Sequence, residues 1–115
     1  MDGRIQRKVS DYLSTAFGVR HLDTITTAGL IRHVAADTTQ TATLLANVAA
    51  SMKTHGSHRI AVVAHHDCAG NPVSDRVQKQ EVASAMTRLT ETYPGAEVIG
   101  LWLNEQWIVE RIRAQ

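Results

Sequence analysis

Five consecutive apolar residues, Ile60-Ala61-Val62-Val63-Ala64, run directly into His65-His66-Asp67-Cys68-Ala69-Gly70-Asn71-Pro72. The β-branched Ile60, Val62 and Val63 favour a strand over a helix. Apolar and polar residues do not alternate here, so the strand has no face to offer to water. Burial on both faces is how a central strand of a parallel sheet reads, and parallel strands need crossover helices between them. Arg59 to His65 therefore predicts a strand together with its surroundings. Gly70 and Asn71 allow a sharp turn, and Pro72 prevents immediate continuation as helix. The polar stretch then falls at the carboxyl end of the strand, where open α/β sheets place their ligands.

The flanking sequence supplies the helices. Ile5, Val9, Tyr12, Leu13, Ala16 and Phe17 recur at helical spacing, and Gly18 follows as a C-cap. His21 to Thr26 predicts a short strand. Asp37 with Gln40 after it matches a capping box. It opens a helix that places Leu44, Leu45, Val48 and Met52 on one face and ends at Gly56. Ser74 caps a further helix carrying Val82, Ala85, Met86, Leu89 and Tyr93 on one stripe. Pro94-Gly95 breaks it, and Glu97 to Leu103 forms another buried strand before a short tail. The expectation is an α/β fold: an open, mainly parallel sheet of three to four strands, with helices packed on its faces. Sheets of this class normally begin with a strand, whereas here a helix starts about five residues from Met1. Either the sheet is that small or a strand belongs upstream.

Composition narrows the function. The 115 residues make one domain, 1–115, with 12 basic against 11 acidic residues and a net charge of +1. No basic run or aromatic-interleaved patch breaks that balance, which argues against a nucleic-acid partner. The longest apolar run is far short of the ~20 residues that span a bilayer, so no membrane partner is expected. Met1-Asp2-Gly3-Arg4 carries a charge pair and no apolar h-region, so no signal peptide is visible. A single cysteine cannot form an internal disulfide; with the missing leader, it predicts a cytoplasmic protein and makes Cys68 a question of chemistry.

His65 and Cys68 are separated by two residues, so a turn can point an imidazole nitrogen and a thiolate at one metal ion. Zinc accepts that mixed set, with sulfur at about 2.3 Å and nitrogen at about 2.0–2.1 Å. The plain reading competes with it: a lone cysteine usually behaves as a small hydrophobe, and a His-His pair at a strand end is often merely solvated. His21, His33, His55 and His58 are scattered and read as solvent-exposed or capping. Asp2 with Arg4 is, on spacing alone, an ordinary surface ion pair. Trp102 and Trp107 read as core in preference to an interface role. His66 and Asp67 lie beside the candidate ligands as pocket neighbours or as bystanders.

Two places resemble one family. Ile60 to Gly70, a hydrophobic strand running into His65-x-Asp67-Cys68, is similar to the second zinc motif of the β-class carbonic anhydrases. That family's first motif is Cys-x-Asp-x-Arg, and Met1-Asp2-Gly3-Arg4 resembles its x-Asp-x-Arg part without the cysteine. The string His65 to Pro72, with Val98-Ile99-Gly100-Leu101-Trp102 and Asn104-Glu105, looks like a compact, carbonic-anhydrase-like branch. The loop Thr26-Thr27-Ala28-Gly29 resembles the family's substrate-side turn. The resemblance spans Asp2 to Glu110 and implies zinc held by two cysteines and one histidine, with one position open to water. His65 and Cys68 would carry two of those roles. Asp2 would accept a hydrogen bond from zinc-bound hydroxide, and Arg4 would hold Asp2. Zinc lowers the pKa of its water to about 7, which provides a nucleophile at neutral pH.

The implied function is a zinc lyase interconverting carbon dioxide and bicarbonate, in a homodimer or larger homo-oligomer. Two other readings stay open: a non-catalytic carbonic-anhydrase-like binding or regulatory protein, and a zinc hydrolase of another small electrophile. The chain departs from the family pattern in lacking the first cysteine and the strand that carries it, which predicts an N-terminally shortened chain with weak, partial zinc occupancy. Ala64 and Ala69 stand where the family often has glycine.

Overall fold

The computed structural model describes residues 1–113. Its elements are α1 (Gln6–Phe17), α2 (Leu30–Ala35), α3 (Thr41–His55), β1 (Arg59–His65), α4 (Asp75–Thr92), β2 (Glu97–Leu103) and β3 (Val109–Ile112). The fold is α/β, an open three-stranded sheet of order β1-β2-β3. β1 and β2 are parallel, in register from Arg59 opposite Glu97 to His65 opposite Leu103. β3 returns antiparallel to β2, so the sheet is mixed.

Helices cover both faces, and the strand pattern says why. Val62 and Ala64 point to one side, where Trp102 and the apolar residues of α2, α3 and α4 form the larger core. Ala61 and Val63 alternate to the other side, toward Leu13 of α1, Ile99 and Leu101. Leu101, Leu103 and Trp102 are essentially sealed from solvent. Each such side chain contributes roughly 1.5–3 kcal/mol of burial, so β2 anchors the domain. Gly18 ends α1 at φ 65, and its N–H bonds the Ser14 carbonyl, as the C-cap reading expects. Ser74 caps α4 by accepting from the Val77 N–H.

Four expectations are corrected. β1 is not central: among the described residues it pairs only with β2, and its other edge carries no strand. His21 to Thr26 is extended but forms no ladder, because Asp23 is drawn to α3 by Ser51 and His55 instead of lying against β1. Asp37 caps nothing. The helix begins at Thr41, whose hydroxyl bonds the His33 and Ala36 carbonyls, while the Thr38 N–H donates to that same hydroxyl. α2, six residues long, is too short to show a period in the sequence. It makes His33 a buried residue, hydrogen-bonded to Thr38 at 2.7 Å, in place of the expected exposed or capping histidine.

Candidate functional site

The site is built where β1 ends. His65 sits opposite Leu103, and the His66 N–H closes the ladder on the Leu103 carbonyl at 2.9 Å. Asp67 then turns the chain at φ 58, a left-handed conformation that aspartate tolerates better than most residues. The Asn71 N–H bonds back to the Cys68 carbonyl at 3.2 Å, which closes the turn before α4. Buried Asn71 is tied to Glu81 of α4 at 2.9 Å, so the loop is clamped from both sides.

A second loop braces the first. Gly70 lies so close to Ala28 and Gly29 that a Cβ on Gly70 would overlap backbone atoms of both. Gly29 stands at φ 62 and is equally hemmed in by the Gly70 carbonyl. Only glycine pairs allow two backbones to approach this closely. The structure thus brings the Thr26–Gly29 loop against the Cys68–Gly70 loop.

His65 is buried, with 8% of its side chain exposed. Its Nδ1–H donates to the His66 carbonyl at 2.7 Å, since a carbonyl can only accept. That bond fixes the ring and leaves Nε2 as the free nitrogen, the arrangement seen in metal-ligating histidines. Nε2 looks toward Asp2, whose carboxylate lies 3.8 Å away. Cys68 is a free, half-buried thiol in the same loop. His66 turns aside and pairs with Asp75 at 2.9 Å.

Asp2 and Arg4 are much more than a chance surface pair. The guanidinium meets the carboxylate with Nη2 at 2.6 Å and Nε at 3.0 Å, and the Arg4 backbone N–H adds a third donor at 2.9 Å. Hydrogen bonding from Arg4 holds the Asp2 carboxyl well below the usual carboxylate range, and the Arg4 guanidinium is correspondingly stabilised in its charged form. Arg4 also reaches Asp67, through its side chain at 3.2 Å and its carbonyl at 3.1 Å. One arginine therefore ties the N-terminal segment to the turn after β1.

Trp107 completes the arrangement, and the reading of it as core missed this. It belongs to the hairpin between β2 and β3, where the Asn104 side chain accepts from the Gln106 and Ile108 N–H groups. Trp107 sits at φ 60, an unusual position for a bulky residue, costing about 1–2 kcal/mol. The strain places its ring 4.4 Å from the Arg4 guanidinium carbon and 6.3 Å from the His65 ring centre. The signal that could have found it is the Asn104-Glu105-Gln106 turn directly after a buried strand. Trp102, by contrast, is core as expected.

The metal-binding capacity of this set is limited. Among the described residues no three His, Cys, Asp or Glu side chains converge as a metal-binding group. His65 fits a ligand's role by its tautomer, but Asp2 is already committed to Arg4. Among the described residues the donors fall short of the three protein ligands that catalytic zinc takes.

A family model described as "Putative carbonic anhydrase" matches residues 1–113, and the chain belongs to that family. No curated protein and no solved structure matches the chain.

Proposed function

We propose that this chain acts on carbon dioxide and bicarbonate at the carboxyl edge of the sheet, as a β-class carbonic-anhydrase-like lyase. The observation that carries the reading is the Asp2–Arg4–Asp67 network beside His65. It joins the two segments on which the family resemblance rests. In this reading His65 and Cys68 are the side chains that would hold zinc, which when bound would supply a nucleophilic hydroxide at neutral pH. Asp2, kept anionic by Arg4, would accept a hydrogen bond from the oxygen that attacks carbon dioxide and so orient it. Arg4 is a positioning residue, and the Trp107 ring lies against its guanidinium.

The donor set favours one second reading, a carbonic-anhydrase-like binding protein that does not turn over. Stopped-flow hydration of carbon dioxide with a pH indicator, run with zinc supplied, separates the two. The lyase reading expects hydration above the buffer rate, lost in Cys68→Ser and reduced in Arg4→Ala with zinc still bound. Zinc binding without any hydration would leave the binding protein as the answer.

A further inference from the structure

The hairpin between β2 and β3 carries a residue that its backbone does not suit. The Asn104 N–H donates to the Ile108 carbonyl at 3.1 Å, and the Trp107 N–H to the Asn104 carbonyl at 2.9 Å. Glu105, Gln106 and Trp107 thus form a three-residue loop. The last position of such a loop takes the left-handed conformation, and glycine is its usual occupant. Here it is Trp107, at φ 60. The turn asks nothing of the indole, because the Asn104 side chain already accepts from the Gln106 and Ile108 N–H groups. A bulky residue held in this region persists only where its surroundings over-determine it, and such residues cluster at functional sites.

The ring's neighbours supply the reason. The edges of the Arg4 guanidinium are engaged: Nε and Nη2 donate to the Asp2 carboxylate, Nη2 also to the Asp67 carbonyl, and Nη1 to the Asp67 carboxylate. What remains open is the flat face of the ion, and Trp107 covers it, with the guanidinium carbon 4.4 Å from the ring centre. The ion pair needs that support, since the Arg4 side chain is 45% exposed and that of Asp67 72%. Exposed pairs gain little by themselves, because ordering two side chains offsets their attraction. A ring on the face adds attraction to the cation without competing for its N–H donors. The same ring adjoins His65, tilted 45° to it with centres 6.3 Å apart.

We propose that Trp107 is a positioning residue: it locks Arg4 in the rotamer that reaches Asp2 and Asp67 together, and so fixes the Asp2 carboxylate beside His65. The strained hairpin residue is retained because it delivers an aromatic face to Arg4. Its consequence for turnover rests on the lyase reading, in which Asp2 orients the attacking oxygen; its effect on Arg4 does not.

The test compares Trp107→Gly, Trp107→Leu and Trp107→Phe in the full chain. Glycine suits the left-handed position, so the hairpin survives loss of the ring, and unchanged amide protection across β2 and β3 checks this. The readout is hydrogen exchange of the Arg4 Nε–H, followed by NMR without zinc. It should be about three- to thirtyfold faster in Trp107→Gly and Trp107→Leu, the range that a face-on cation–π contact spans. Trp107→Phe, which keeps an aromatic face, should fall between them and the wild type. A tryptophan that only fills space would shift the unfolding midpoint and leave Arg4 unmoved. Wild-type exchange in Trp107→Gly, or full protection in Trp107→Leu, would therefore overturn the proposal. With zinc supplied, the Gly and Leu variants should bind the metal as the wild type does and lose kcat with KM unchanged, with partial recovery in Trp107→Phe. An unchanged kcat in Trp107→Gly would overturn the catalytic consequence. A wild type that does not hydrate carbon dioxide would defeat the lyase reading, and the Arg4 exchange would still decide the role of Trp107.

Discussion

Gly29→Ala tests the contact on which the site's shape depends. Gly29 carries two separate constraints: a left-handed φ of 62, and backbone atoms of Gly70 and Asn71 where a Cβ would go. The conformational constraint alone costs an alanine about 1–2 kcal/mol. The steric one cannot be relieved by a side-chain rotation, because the neighbours are backbone, and overpacking of this kind costs roughly 1–3 kcal/mol. The sum is about 2–5 kcal/mol, a large part of the ~5–15 kcal/mol that stabilises a typical domain. Gly18→Ala supplies the control, since Gly18 has a similar φ of 65 and open space around its Cβ position. Urea unfolding followed by circular dichroism should show a lower midpoint for both variants with the slope unchanged. Gly29→Ala should lose about 1–3 kcal/mol more than Gly18→Ala. Equal losses would refute the claim that the two loops are pressed together through Gly29 and Gly70.

Other perturbations have equally definite outcomes. Arg4→Ala removes the principal cause of the depressed Asp2 pKa, so carbon-detected NMR titration should show Asp2 returning toward its ordinary 3.8. A carboxyl depressed in the folded state contributes stability above its unfolded pKa and loses it as pH falls through the folded value. Stability of the wild type should therefore fall more steeply than that of Arg4→Ala as pH drops below about 3.8. Ser74→Ala should cost about 1 kcal/mol through the lost cap on Val77, whereas Asp37→Ala should stay within about 0.5 kcal/mol. Leu101→Ala, at a fully buried position of β2, should cost about 2–5 kcal/mol in the same denaturation assay.

The parts of the fold legible in the sequence are those where burial leaves a pattern. β1 and β2 read as strands because a short, continuous run of β-branched and aliphatic residues suits a strand covered on both faces, and both bounds agree with the structure. α1 reads correctly to its last residue because Gly18 is the residue a left-handed C-cap requires. What is hidden in the sequence depends on contacts distant along the chain. β3 is four residues of half-exposed chain, Val-Glu-Arg-Ile, which is a strand only because β2 lies beside it. His21 to Thr26 has strand-like residues, but a strand exists only where a partner edge is within reach. The start of α3 lies beyond the capping-box position because Thr41 turns inward to the His33 and Ala36 carbonyls, a choice that local spacing at Asp37 does not encode.

The site divides in the same way. His65 and Cys68 stand out by position, at the end of a buried strand. The role of Asp2 and Arg4 comes from resemblance, and the structure adds the network that joins them to Asp67 and Trp107. No spacing rule connects residue 4 to residue 107. The Gly29–Gly70 contact is likewise invisible in the sequence, because a glycine in a loop usually signals a turn and here it also signals close approach.

The most direct measurement on the central claim is X-ray absorption at the zinc edge of the zinc-supplied chain, compared with Cys68→Ser. The account predicts a shell with one sulfur at about 2.3 Å and imidazole nitrogen at about 2.0–2.1 Å, with the sulfur lost in the variant. A shell of oxygen and nitrogen alone, identical in both proteins, would contradict it and remove the His65–Cys68 loop from any role in holding zinc.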